Sequence, residues 1–129
     1  MRRSARHYLV AVVTVSCGLW LRRTWPLGRV EVVGDSMLPA LAPGDRLLVV
    51  RGGRAERAAV GDVVAVTDPR TPARTLVKRV AARGPEGVTI LGDNPAASTD
   101  SRALGPVAAA AIRGRAVYRY FPESRRGRL

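Results

Sequence analysis

Between Val30 and Tyr120 short apolar runs alternate with polar breaks rich in glycine, proline and aspartate. The runs are too short for typical helices and rich in β-branched residues, so they predict strands over Val30–Val33, Arg46–Arg51, Asp62–Thr67, Thr75–Ala82, Gly87–Leu91 and Gly114–Tyr120. Ala42-Pro43-Gly44-Asp45 and Asp68-Pro69 are turn signals between them. Residues 52–61 read as a polar loop, and Val107–Ile112 as one helical turn or a short strand. The tail from Pro122 onward is expected to be loose. Ahead of the strands, Tyr8–Leu21 is a different kind of segment, continuously apolar and bracketed by arginines. Its fourteen residues would span roughly 21 Å as a helix, short of the roughly 30 Å hydrocarbon layer. Snorkelling Arg6 and Arg22, with Trp20 and Trp25 at the interface, extend it into a short membrane anchor. The pattern thus divides the chain into an N-terminal apolar helix and anchor (1–28), a mainly β core (29–122) and a short tail (123–129).

Composition narrows the chemistry. At 129 residues there is material for one modest core. The net charge of +12 would suit nucleic acid or anionic lipid, but the arginines are scattered, aromatics are few, and no nucleic-acid-reading motif occurs. A solvated basic surface and no nucleic-acid partner is the reading that follows. The single histidine, His7, precedes the apolar run and the single cysteine, Cys17, lies inside it. A Ser-His-Asp triad, an internal disulfide and a Cys- or His-built metal site are therefore disfavoured, and no cofactor is called for. Of 22 basic residues 21 are arginine; the one lysine is Lys78. Arginine stays protonated, whereas a buried lysine can lose its proton and serve as a base.

Three segments carry candidate chemistry. In TLVKRVAA, strand alternation places Leu76, Lys78, Val80 and Ala82 on one face and Arg79 on the other, so the Lys78 amine sits among apolar neighbours that lower its pKa. In GDSMLPALAPGD, residues 34–45, Gly34 and Asp35 turn the chain so that Ser36 projects at the end of a strand. Pro39 and Pro43 stiffen the loop, and Met37 and Leu38 are apolar contacts for substrate or membrane. In ILGDNPAASTDSRALG, residues 90–105, Gly92-Asp93-Asn94 marks a turn, and Ser98, Asp100 and Arg102 stand at alternating positions.

Taken together, Ser36-Met37-x-Pro followed by Gly44-Asp45, then Lys78-Arg79-Val80, then GDNxxxSxDSRxxG, resemble the signal peptidase I family of membrane-bound serine–lysine peptidases. A GDSM alone is a weak signal, but four segments in order, from Val33 to Pro122, are a strong one. The resemblance implies a signal-peptidase-like β catalytic core in which Ser36 is the nucleophile and Lys78 the general base. It further implies that Ser98 orients Lys78, while Asp93, Asp100 and Arg102 hold the loop. Two features depart from the family pattern. Gly34 replaces the hydroxyl residue that helps bind the oxyanion in some members, and thirteen residues between Lys78 and Gly92 leave no room for a large accessory β-domain.

The implied partners are precursor proteins with cleavable N-terminal segments, together with membrane lipid. The implied location is a membrane, with the catalytic domain extracytoplasmic. Small size and high arginine content also resemble peptidases that mature nickel-type superoxide dismutase, a role that would place the domain in the cytoplasm. Self-cleaving repressors share GDSM and a lysine, but residues 1–28 hold no helix-turn-helix pattern and the GDN-to-DSR box is foreign to them. An inactive membrane-surface module is the remaining alternative.

Overall fold

The computed structural model describes residues 26–129. The expected apolar helix and anchor at Tyr8–Leu21 lies outside the described residues, and within them no helix is long and apolar enough to cross a membrane. A strand forms at each predicted place; the first begins three residues earlier and leaves out Val32 and Val33, and the others differ by at most two residues at their ends. The six are β1 (Leu27–Glu31), β2 (Arg46–Val50), β3 (Val63–Thr67), β4 (Thr75–Gly84), β5 (Gly87–Leu91) and β6 (Ile112–Phe121). A seventh, β7 (Gly127–Arg128), pairs with β6. All pairings are antiparallel, in the order β1-β2-β6-β3-β4-β5. The tail is therefore not loose. Its Arg125 reaches Asp45 Oδ1 at 2.9 Å, and Arg119 of β6 reaches Asp45 Oδ2 at 3.1 Å. Asp45 is buried, and the two guanidiniums with the Ala42 amide satisfy its carboxylate. The polar loop holds a single helical turn at Gly53–Glu56, and Ala109–Ala111 forms a turn of 3₁₀ helix leading into β6.

Two apolar clusters form the core. One gathers Val64, Val66, Val80, Val88, Ile90 and Ile112 with Ala55 and Ala58; the other gathers Val32, Met37, Leu41, Leu47, Val49, Val63 and Ala116. The second shows why the chain between β1 and β2 is not a free loop. Met37 is fully buried, a contribution of about 1.5–3 kcal/mol for a large apolar side chain. It is therefore a core residue and not the exposed substrate or membrane contact expected of it. Leu38 is half-buried.

The pairings leave two backbone edges free close to each other. Among the described residues β1 lies at the end of the sheet and pairs only with β2. On β4, residues 75–79 pair with β3, but β5 takes the other edge only from Arg79 onward. The first half of β4 thus has an unpaired edge, and it faces a cleft.

Candidate active site

Alternation along β4 is what points Lys78 inward. Leu76, Lys78 and Val80 are buried on one face, with Val64 of β3 directly opposite Lys78. The expected fourth member, Ala82, is exposed, because a register shift between Val80 and Ala82 against β5 breaks the alternation. Lys78 is only 3% exposed. Burial pushes its amine below the ordinary lysine value; the negative charge of Asp100 opposes this, and Arg74 and Arg102 add to the lowering. The lowering enlarges the share of amine that holds a free lone pair at a given pH.

Ser36 stands across the cleft in the connection after β1. A space of about 350 Å³ is lined by Glu31–Ser36 on one wall and Arg74–Lys78 on the other, with Ala97 and Thr99 beside them. Ser36, Lys78 and Gly34 are thus brought to one site. No hydrogen bond joins the Ser36 and Lys78 side chains among the described residues, and such bonds are often long before substrate binds. Gly34 is exposed at φ +83°, and a Cβ there would meet nothing within 4 Å. Backbone conformation, not space, favours glycine here, which gives a physical reason for the missing hydroxyl.

The loop after β5 is built on Asp100, whose carboxylate is buried and fully used. It accepts from Ser98 Oγ at 2.6 Å, from the Gly92 amide at 2.8 Å, and from Arg102 Nε and Nη2 at 3.0 and 2.6 Å. Arg102 beside it, aided by Ser98 and the amides of Gly92 and Arg102 and opposed by burial, holds the acid well below the usual carboxylate range. The Ser98 proton goes to this acceptor. A hydrogen bond from Ser98 to Lys78 is absent among the described residues, since an ionised carboxylate is the stronger partner for the hydroxyl. The oxygen lone pairs of Ser98 are still able to accept. Asp93 holds the turn differently. It takes Arg79 Nε and Nη2 at 2.9 and 2.8 Å, and Arg79 also donates to Gly61 O at 2.8 Å.

Two residues outside the expected set join this loop to the serine. The Asn94 amide donates to Ser36 O at 2.9 Å, and its Nδ2 donates to Asp35 O at 3.1 Å. Gly92 is buried, and a Cβ on it would lie 2.6 Å from Ser36 O and closer still to Ser98 Oγ. The GDN signal marked a turn in the sequence, but its neighbour 56 positions away was not visible there. Gly92→Ala should push the Ser36 backbone out of place and lower kcat/KM about 100-fold with smaller loss of folding, measured by precursor cleavage beside thermal melting.

The model for the family described as signal peptidase, peptidase S26, matches residues 5–90 and 85–121. The chain belongs to the signal peptidase family. It is 35% identical to the mitochondrial ATP-independent inner membrane protease subunit 1a of Arabidopsis thaliana, over 88% of this chain and 82% of that one. It is 34% identical to mitochondrial inner membrane protease subunit 2 of Danio rerio, over 95% of this chain and 77% of that one. Both relatives are named as subunits of inner membrane proteases. Among the described residues no group of three or more His, Cys, Asp or Glu could hold a metal ion.

Proposed function

We propose that this signal peptidase family member is a serine endopeptidase that removes N-terminal leader or propeptide segments, with Ser36 as nucleophile and Lys78 as general base. The observation that carries the reading is one cleft, flanked by two free strand edges, holding both the serine and a desolvated lysine. An extended peptide can hydrogen-bond to such edges and bring its scissile carbonyl to Ser36. Neutral Lys78 Nζ takes the Ser36 Oγ proton as Oγ attacks that carbonyl carbon. The tetrahedral oxyanion meets the Ser36 backbone N–H. The lysine ammonium then gives its proton to the leaving amine as the C–N bond breaks. Water, deprotonated by Lys78 Nζ, attacks the acyl carbon; the C–Oγ bond breaks, the acyl segment leaves, and Lys78 returns the proton to Ser36 Oγ. Ser98, Asp93, Asp100 and Arg102 serve by positioning, and Gly34 by letting the chain turn.

Relatives named as inner membrane proteases favour action at a membrane. The test compares protein N-termini in cells carrying the wild type with those carrying Ser36→Ala. Several exported proteins retaining their leaders is the expected result. A single unprocessed nickel-type superoxide dismutase would assign the narrower maturation role. Unchanged N-termini throughout would reject leader processing.

A further inference from the structure

The cleft carries one charged group that the chemistry above does not use. Arg74 closes the β4 wall at the end away from the nucleophile. Its carbonyl accepts from the Asp68 amide at 2.9 Å, which continues the β3–β4 ladder one step past Thr67–Thr75. Alternation then sets Arg74 on the face of Leu76 and Lys78, four residues and about 13 Å along the strand from Lys78. Arg74 is exposed and makes no ion pair among the described residues. Its nearest acid in sequence is committed elsewhere: Asp68 is fully buried under Arg70, which it meets at 3.0 and 3.2 Å. Glu31, on the opposite wall, does not pair with it either. The positive charge of Arg74 acts on the Lys78 amine as well as on Asp68, so it is felt within the cleft without being held in an ion pair there.

Resting on the proposed peptidase reading, we infer that Arg74 is a specificity-determining residue that selects an acidic side chain four residues along the substrate from the one bearing the scissile carbonyl. An extended substrate advances about 3.3 Å per residue, as β4 does, so that position lies level with Arg74 when the reacting carbonyl is level with Lys78. Substrate positions of the same parity share a face, and the one in between, two residues from the carbonyl-bearing one, meets Leu76. A planar guanidinium recognises a carboxylate with two parallel hydrogen bonds, which a lysine or an alanine in the substrate cannot offer.

The experiment uses fluorescent peptides with small residues one and three before the cut, carrying Glu, Ala or Lys in turn at each position from six before to four after. Cleavage is followed with the full-length protein, and binding with its Ser36→Ala variant. Glu four residues from the carbonyl-bearing residue, five before the cut or four after it, should raise both kcat/KM and affinity about five-fold over Ala. Arg74→Gln should remove that advantage, and Arg74→Glu should transfer it to Lys. No position responding to charge would overturn the proposal. So would an Arg74→Gln variant slowed equally on every peptide with a displaced pH profile, since the residue would then act through Lys78. Charge selection in binding without any cleavage would sustain the Arg74 assignment and sink the peptidase reading instead.

Discussion

Ser36→Ala is expected to abolish precursor cleavage, by about 10⁴-fold or more, with its melting temperature close to the wild type's. Ser36 is half-buried at the cleft wall and its hydroxyl supports no other contact among the described residues, so its removal touches chemistry and little else. Lys78→Met should be equally inactive, but more stable. The sign follows from burial. In the unfolded chain the amine keeps its proton up to about pH 10.4, whereas in the folded protein it gives it up at lower pH. Between those two points the unfolded state binds more protons, so folding stability rises with pH there. Below the window the native protein must carry a buried ammonium, a cost that a methionine of similar shape removes. Activity should rise through the same depressed pKa, because only the neutral amine can take the serine proton. Gain of stability with loss of activity in one variant separates a catalytic lysine from a structural one. Urea denaturation at pH 7 and pH 10, beside cleavage assays, reads both.

The largest loss of stability is expected at Asp100. Asp100→Ala would leave Arg102, Ser98 Oγ and the Gly92 amide without their shared acceptor. Breaking a buried ionic network from one side costs about 3–5 kcal/mol. Because the Arg102 side chain is 44% exposed and can turn to water, the lower end of that range applies. Asp100→Asn keeps the shape but not the charge and should lie between. The wild-type carboxylate has a folded pKa below its unfolded value, so its contribution is full above about pH 4 and is lost as pH falls through the folded pKa. Asp100→Ala should flatten the acid limb of the stability curve. It should also lose activity, since the same loop sets Gly92 and Asn94 against Ser36. Denaturant melts between pH 2 and 7 check the first part, and precursor cleavage assays the second.

What could be read in the sequence follows a physical division. Strand alternation is local, so the faces of β4 and the inward turn of Lys78 were legible, as far as the irregularity before Ala82. Contacts between distant segments leave no such trace. The Arg79–Asp93 pair, the Asn94 bridge to Ser36 and the steric demand at Gly92 all depend on where the β5 turn meets the serine loop. Met37 looked available because it follows a turn, yet β2, β3 and β6 fold a pocket over it. The two-residue β7 is too short to alternate, and the tail is held by its pairing with β6 and by Asp45, 80 positions away from Arg125.

The most direct test of the central claim is cleavage of one leader-bearing precursor by purified Lys78→Arg protein, with the product's N-terminus sequenced. Arginine keeps the charge and the length of the stem but cannot accept a proton at any working pH. A serine activated by the Lys78 amine predicts no product. Product with the wild-type N-terminus, formed at a comparable rate, would contradict it.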